Sequence, residues 1–367
     1  MELAELMSLR PVPAAGLLLT VTGRCPLRCA HCSTASTLAS AETDAGLLLR
    51  FVGSFTEDAH PAVLMLTGGE PLLRPGLVAG LATRARAAGT RSALLTGAFF
   101  AARATGSVTW RPPRAVVRAV TAVDHFSVSV DAFHEREVPR AAAFAAVRYA
   151  LDAGIPSSLH LVGNGPDDPY LEDVTADARR TFGDRVPMLV NTVRPVGRAA
   201  SWAAAKTPAR PAPRGALPCA MAAWPVVAGD GTVLACCNQD VVDRRPAPEH
   251  LRVGHLAQDD WAAVSGRVRS APVLRMIRAV GPLHLRERFG TAGEDTAPRP
   301  GYCAGCRALA EHPEVLAAAG RTGAGAAGAL LDLHTTRRQV EAGPVEFVRR
   351  HGSAAHAELV ALPRTPG

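Results

Sequence analysis

The sequence predicts an α/β protein with a parallel sheet, followed by a small cysteine-rich region and a helical tail. Short apolar runs alternate with longer stretches rich in Ala, Leu, Val and Arg through residues 16–193, a pattern typical of β/α units with parallel strands. A proline-rich segment at 207–218 ends this alternation, and five of the eight cysteines follow it. With 367 residues and 48% apolar content, the chain can build one large domain and a smaller one.

The predicted strands are the short apolar runs, and the predicted helices are the longer stretches between them. Strands are predicted at 16–22, 62–66, 92–96, 125–130, 156–162 and 188–193. Helices are predicted near 42–55, 75–88, 112–120, 141–153 and 171–182. Because loops after parallel strands share one face of such a fold, side chains in those loops are expected to carry the chemistry.

The loop after the first strand holds three cysteines, Cys25, Cys29 and Cys32, in the sequence CPLRCAHC. Thiolates are soft ligands suited to iron–sulfur clusters, and three of them leave one iron of a [4Fe-4S] cluster open to chelate a small molecule. A zinc knuckle is the alternative. Zinc sites are usually closed by a fourth Cys or His at matching spacing, and the nearby His31 is badly placed for that role.

A second motif, Thr-Gly-Gly-Glu-Pro at 67–71, follows the second predicted strand. Gly68 and Gly69 lack Cβ atoms and permit close backbone approach, while Glu70 offers an acceptor for an ammonium group. Taken alone, such a segment is more often a simple turn.

Together these two motifs resemble the signatures of the radical S-adenosylmethionine (radical SAM) superfamily. The resemblance implies a partial (β/α)6 TIM-like barrel, a [4Fe-4S] cluster held by the three cysteines, and SAM bound at the open iron with its amino group at the Gly-Gly-Glu segment. Further SAM contacts are expected from residues after later strands. The expected SAM-binding residues are Gly68, Gly69, Glu70, Ser129, Asp131, Asn164 and Arg198.

Some of these residues also have plainer interpretations. Ser129 and Asp131 could simply end a strand and cap a helix, and Arg198 could be a surface guanidinium. The third strand is followed by Thr-Gly-Ala at 96–98, where the family often has Thr-Asn-Gly, which puts an Asn contact there in doubt. Weaker candidates for substrate contact are His125, His134 and His160.

The later cysteines predict a second metal site. Their spacing resembles the shortened SPASM or "twitch" domain, and the resemblance implies one auxiliary [4Fe-4S] cluster. The Gly-Asp-Gly turn at 229–231 predicts a hairpin that brings its cysteines closer. Zinc held by the same thiolates is the alternative, since spacing alone does not choose the metal. The expected ligands are Cys219, Cys236, Cys303 and Cys306.

Cys237 is then left unassigned. Adjacent residues of a strand point to opposite faces, so Cys236 and Cys237 cannot easily serve the same site. The plain interpretation of Cys237 is a small buried apolar side chain; the other is a catalytic hydrogen-atom donor, as in radical SAM epimerases. Which of the pair is the ligand stays open.

The charge pattern argues against a nucleic-acid partner. The formal charge of +7 comes from scattered arginines, with Lys206 as the sole lysine, and no zinc-finger spacing accompanies it. An acidic peptide partner remains compatible. Residues 1–24 lack a signal-peptide pattern and no apolar run reaches 18 residues, so a cytoplasmic protein without a membrane partner is expected.

Composition divides the chain into four predicted segments. The barrel is expected over 1–206, a linker over 207–218, the twitch/SPASM-like domain over 219–312 and a helical C-terminal extension over 313–367. No chemistry is assigned to the extension.

The resemblance implies reductive cleavage of SAM to a 5′-deoxyadenosyl radical that abstracts a substrate hydrogen atom. The favoured reaction is oxidative crosslinking or dehydrogenation of a ribosomally synthesised peptide in natural-product biosynthesis. The alternative is a twitch-type dehydrogenase or epimerase acting on a sugar, aminocyclitol or similar small molecule. A non-catalytic iron–sulfur scaffold is a third hypothesis, against which the amine-binding Glu70 argues.

Two protein partners are expected. One is an external electron donor of the flavodoxin or ferredoxin type. The other is a separate peptide-recognition protein, because the 24 residues before Cys25 are too few for a fused recognition domain.

Overall fold

The computed structural model describes residues 1–104, 110–165, 167–203, 217–290 and 301–363. Most of the predicted linker, residues 207–216, and the boundary at Lys206 therefore lie outside the described residues. Among the described residues, nine strands form one sheet in the order β6-β5-β4-β3-β2-β1-β7-β8-β9. The strands are β1 Gly16–Thr22, β2 Val63–Gly68, β3 Arg91–Thr96, β4 His125–Ser129, β5 Ser157–Gly163, β6 Met188–Thr192, β7 Val226–Val227, β8 Thr232–Leu234 and β9 Arg252–His255.

Helices separate the first six strands and dominate the rest of the chain. Asp44 begins α2 and Asp168 begins α6, each by accepting a backbone N–H of the first turn, which satisfies a donor that the helix leaves unpaired. The helices are α1 Leu3–Leu9, α2 Ala45–Val52, α3 Pro75–Ala87, α4 Arg114–Ala122, α5 Arg140–Asp152, α6 Pro169–Phe182, α7 Ala200–Ala203, α8 Gln239–Val242, α9 Trp261–Ser270, α10 Pro272–Ala279, α11 Pro282–Phe289, α12 Tyr302–Ala308, α13 Pro313–Ala324 and α14 Ala326–His351.

The predicted α/β class is confirmed. Strands β1 to β6 pair in parallel, each with its neighbour in the chain, and each lies within two residues of its predicted bounds. Since β6 ends the sheet, the strands form an open arrangement consistent with a partial TIM barrel.

The cysteine-rich region continues this sheet. Strand β7 pairs in parallel with β1, with Val226 opposite Leu18, and β8 and β9 follow antiparallel. The predicted hairpin between β7 and β8 is confirmed, with Gly231 at a φ of 88° that favours glycine. The region predicted as a separate domain thus shares the sheet with the barrel, and the predicted domain bounds stay predictions.

The inner face of the sheet is covered by both ends of the described chain. Leu3 and Leu6 of α1 and Val348 of α14 form one buried cluster with Met65 and Trp224. The chain after α14 is fastened to the sheet edge, where the N–H of Ser353 donates to the carbonyl of Val190 in β6 at 2.8 Å. The C-terminal extension therefore helps to fill the open barrel.

A buried ion pair joins α14 to the cysteine-rich region. Arg278 of α10 donates twice to the carboxylate of Asp332, at 3.0 and 2.6 Å, and both side chains are at least nine-tenths buried.

In the described part of the chain, no helix is long and apolar enough to span a bilayer.

Candidate functional site

A cavity of about 490 Å³ opens beside the carboxyl ends of the parallel strands. Both sequence motifs contribute to its wall, together with loops after β4 and β6. The predicted site residues that line it are Cys25, Cys29, Cys32, Gly68, Gly69, Glu70, Ser129 and Arg198.

The cysteine loop is held by the loop after β6. Backbone N–H of Arg198 donates to the carbonyl of Cys32 at 3.0 Å, and its guanidinium donates to the carbonyls of Cys29 and Ser36 at 2.9 and 2.7 Å. Gly197 allows this contact, because a Cβ there would lie 2.2 Å from the carbonyl of Ser33. The structure thus gives Arg198, predicted as a SAM ligand, a positioning role for the cysteine loop.

The thiols of this loop are costly to ionise without a nearby cation. Burial, and then the Glu70 carboxylate and the other two thiols, raise the pKa of Cys25 to about 12, against a hydrogen bond from the Leu27 N–H. A cationic iron centre would remove this penalty, because a coordinating thiol is deprotonated outright. The donor set therefore fits a metal cluster.

A further group of potential metal ligands lies beside the cysteine loop. The ligand atoms of His31, Asp131 and His134 lie within 4.8 Å of one another.

The Gly-Gly-Glu segment packs directly against the cysteine loop. The N–H groups of Gly69 and Glu70 donate to the carbonyls of Thr22 and Arg24, both at 2.7 Å. A Cβ on Gly69 would lie 2.3 Å from the Arg24 carbonyl. The glycine is therefore required for close approach of the two motifs to each other.

Glu70 is fully buried and ties β2 to β3. One carboxylate oxygen accepts the Leu72 N–H and the Thr96 hydroxyl at 2.9 and 2.8 Å, and the other accepts the Gly97 N–H at 2.9 Å. Burial raises the pKa of Glu70 even though these three hydrogen bonds oppose the shift. The carboxylate still lines the cavity, so it can meet a cation there while fixing the loop after β3.

Asp131, predicted to contact SAM, is bound to other partners. It is completely buried, and one oxygen accepts the N–H groups of Phe133 and His134 at 2.9 Å. The other oxygen meets the His134 ring at 2.7 Å and the His31 ring at 3.4 Å. Asp131 thus caps the turn after β4 and orients two histidines.

These histidines differ in protonation. Burial lowers the pKa of His134. Its hydrogen bonds to Asp131 and then Cys29 outweigh burial and raise this pKa to about 10. Burial alone would raise the pKa of Asp131. The hydrogen bond and the charge of His134, together with the charge of His31, outweigh burial and lower this pKa. His31 is kept neutral by burial, which lowers its pKa to about 4 despite Asp131. Sequence reasoning missed this cluster, although His31 lies inside the cysteine motif.

Three other predicted residues lie away from the cavity lining. Asn164 is exposed, and its backbone and side-chain N–H groups donate to Asp168 at 2.7 and 3.1 Å, so it supports the start of α6. His125 is buried between the Met1 carbonyl and the Ser158 hydroxyl. His160 is likewise outside the lining, whereas His134 belongs to it.

The four later cysteines come together from three segments. Cys219 is anchored by its N–H to the Ile277 carbonyl at 3.2 Å, Cys236 follows β8, and Cys303 and Cys306 lie on α12. Burial, and next the charge of Cys303, raise the pKa of Cys219 to about 11. Burial also raises the pKa of Cys236 and Cys306, followed by the charge of Cys237 at Cys236 and the charge of Cys219 at Cys306.

Cys237 lies beside these thiols but contacts a different group. Its Sγ is 3.6 Å from Nη2 of Arg10, a residue that lines the cavity. The Cys236 Sγ accepts the Asn238 N–H at 3.4 Å. Both cysteines follow the end of β8, and Cys237 lies close enough for its charge to raise the pKa of Cys236 after burial.

The comparisons with known proteins agree with this geometry. Residues 19–178 match the family model of the radical SAM superfamily. No curated protein sequence is similar enough to count as a relative.

Similar solved structures include SuiB of Streptococcus suis bound to S-adenosylmethionine, with a TM-score of 0.51, 12% identity, and coverage of 80% of this chain and 77% of that chain. SuiB bound to its precursor peptide SuiA gives the same TM-score and identity. Native anSMEcpe with bound AdoMet has a TM-score of 0.47 and 12% identity, covering 83% and 99% of the two chains. At such identities the likeness to SuiB concerns the fold. The match to the radical SAM superfamily model, over residues 19–178, includes both the cysteine loop and the Gly-Gly-Glu segment.

Proposed function

We propose that this protein is a radical SAM enzyme that oxidatively modifies a ribosomally synthesised peptide. The observation that carries the proposal is the direct bonding of the cysteine loop to the Gly-Gly-Glu segment at one wall of a single cavity. Three thiols and a buried carboxylate then face the same space, which is what joint binding of a cluster and an amino acid derivative requires.

The chemistry comes from the bound groups: the cluster and SAM together supply a 5′-deoxyadenosyl radical that abstracts a hydrogen atom. The chain's own residues hold and shield these groups. Cys25, Cys29 and Cys32 bind the cluster, and Arg198 fixes the shape of their loop. Glu70 meets the SAM ammonium, and Ser129 offers a hydroxyl from the end of β4.

The second cysteine set serves as an auxiliary site in this proposal. Cys219, Cys236, Cys303 and Cys306 are partly buried, and desolvation and neighbouring thiols disfavour their ionisation, which a cationic auxiliary [4Fe-4S] cluster would offset. A cluster held by these four cysteines would supply an acceptor for the electron that the substrate loses on oxidation. An external donor of the flavodoxin or ferredoxin type would supply the electron for SAM cleavage.

A peptide substrate is supported by the fold. SuiB, whose structure resembles this one over 80% of the chain, has been solved with its precursor peptide SuiA. The basic composition of the chain suits an acidic peptide region, which a separate recognition protein could present.

The test uses anaerobically reconstituted protein with a reductant and SAM, and measures 5′-deoxyadenosine by mass spectrometry. We expect SAM cleavage in the wild type, its loss in Cys29→Ala, and no loss in Ser270→Ala, a surface change on α9. Absence of cleavage in the wild type would contradict the proposal.

The genes next to this one identify the substrate to test, and a short precursor-peptide gene among them would provide the peptide. A product lighter by two hydrogens supports peptide oxidation. SAM cleavage coupled instead to oxidation or epimerisation of a sugar would select the small-molecule alternative.

A further inference from the structure

Arg10 is a buried guanidinium without a carboxylate partner in the described structure. It follows α1, lines the cavity and is 6% exposed. Nη2 lies 3.8 Å from the sulfur of Met221 and 3.6 Å from that of Cys237, and the guanidinium carbon lies 4.8 Å from the ring centroid of Trp224. Nη1 is buried and has no hydrogen-bond partner among the described residues.

Such an arrangement destabilises the folded protein, because a buried charge normally has an opposite charge or several hydrogen bonds to compensate it. The aromatic face of Trp224 compensates it only in part. Two soft sulfur acceptors are weak substitutes for a carboxylate. Because Arg10 lines the cavity, its unpartnered Nη1 can accept an anion from that side.

The charge balance of the cavity wall points the same way. Glu70 is the acidic residue among the described residues of the lining, and it already accepts three hydrogen bonds. Arg194 lines the cavity beside His351 and donates to its carbonyl at 3.2 Å. Burial, followed by the charges of Arg350, Arg10 and Arg194, lowers the pKa of His351 to about 4. The wall near Arg10 therefore carries excess positive charge.

We propose that Arg10 binds a carboxylate of the substrate, through Nη1 as the primary donor. This inference rests on the proposed function, since it names the chemical class of the molecule that the enzyme modifies. The planar guanidinium suits a carboxylate, which it can bind with two parallel hydrogen bonds. Because Arg10 also contacts Cys237, the bound carboxylate lies between the cysteine loop and the second cysteine set.

The carboxylate has three sources that the experiment separates: an acidic side chain, a free C-terminus, or SAM itself. Three short peptides serve as probes: acetyl-Gly-Asp-Gly-amide, acetyl-Gly-Ala-Gly with a free C-terminus, and the neutral acetyl-Gly-Asn-Gly-amide. Their binding to the reconstituted protein is measured by calorimetry, first without SAM and then with saturating SAM. The measurement needs no turnover, so failure of SAM cleavage would not be mistaken for failure of this proposal.

We expect at least one of the two carboxylate peptides to bind more tightly than the neutral peptide, with or without SAM. Arg10→Gln should weaken the binding of that peptide about tenfold or more, as expected for the loss of a charge-assisted hydrogen bond. The matched control Arg118→Gln, an exposed position on α4, should bind like the wild type.

Arg10→Lys keeps the charge but loses the planar fork, and should weaken binding about threefold or more; it replaces Arg10→Gln if that variant does not fold. Equal binding of the charged and neutral peptides to the wild type would overturn the proposal. Wild-type affinity in the Arg10 variants would also overturn it. Displacement of the peptides by SAM would show that Arg10 holds the SAM carboxylate instead.

Discussion

The two cysteine sites of this protein are built in opposite ways. The first takes Cys25, Cys29 and Cys32 from one loop of the chain, and that loop is fixed by backbone contacts to neighbouring strand ends. The second collects its thiols from a strand end, a turn and α12, spread over residues 219–306. The first site therefore depends on local sequence, and the second depends on how α10, α12 and β8 pack.

The largest expected effect separates the two sites directly. Anaerobically reconstituted wild type should hold about eight irons, four in each of two clusters. Replacing Cys25, Cys29 and Cys32 together by Ala should leave about half of the iron and abolish SAM cleavage. Iron analysis and 5′-deoxyadenosine measurement check this.

The reciprocal variant Cys303→Ala/Cys306→Ala serves as the control and should also retain about half of the wild-type iron. Full iron in the first variant would refute the assignment of the loop cysteines, and full iron in the second would refute the auxiliary site.

The packing that supports the second site can be broken without touching a cysteine. Asp332→Ala leaves Arg278 buried and unpaired, which should cost about 3–5 kcal/mol of unfolding free energy. Because α10 anchors Cys219 through the Ile277 carbonyl, iron should be lost from the second site before the first. Chemical denaturation and iron analysis measure both effects.

The matched control on the same helix is Glu341→Ala, which removes an exposed pair with Arg337. An exposed pair of this kind contributes about 0–1 kcal/mol. Equal destabilisation by both variants would contradict the role of the buried pair.

At the first site, Glu70→Ala should weaken SAM binding by about 1.5–3 kcal/mol, as expected for a lost charge-assisted hydrogen bond. Cluster iron should stay, because the thiols are untouched. Thr96→Val removes one of the hydrogen bonds to this carboxylate and should weaken SAM binding less than Glu70→Ala does. Calorimetric titration with SAM provides the measurement, and an unchanged affinity in Glu70→Ala would exclude an ammonium contact.

The smallest effect is expected at Cys237, whose replacement by Ala should leave the iron content and SAM cleavage intact. If its thiol donates hydrogen, the wild type will incorporate one solvent deuterium at the substrate carbon and the variant will not. If the second site takes an electron instead, the product will be lighter by two hydrogens without deuterium at that carbon. We expect the oxidative result. Loss of iron from Cys237→Ala would show that Cys237, and not Cys236, is the ligand.

The sequence predicted local features well. Alternating apolar runs located β1 to β6 to within two residues, because strand and helix periods are properties of short segments. The cysteine loop and the Gly-Gly-Glu segment were placed after β1 and β2, and the structure brings them into contact.

The sequence did not show the protein partners of two predicted SAM-binding residues, whose SAM contacts stay predictions. Asp131 was assigned to SAM from its position after β4, but it binds the turn after the strand and two histidines. Asn164 was assigned similarly and supports α6. Each side chain has a nearby protein partner, backbone N–H groups for Asp131 and the Asp168 carboxylate for Asn164, and spacing in the sequence does not show which partner is chosen.

The sequence by itself determined the positions of β1 to β6, the cysteine loop and the Gly-Gly-Glu segment, since each depends on residues close together in the chain. Only the tertiary structure decided that β7 joins the barrel sheet, that α14 pairs Asp332 with Arg278, and that Arg10 reaches the cavity beside Cys237. These contacts join residues far apart in the chain, so their geometry is fixed by packing of whole elements and leaves no local pattern to recognise.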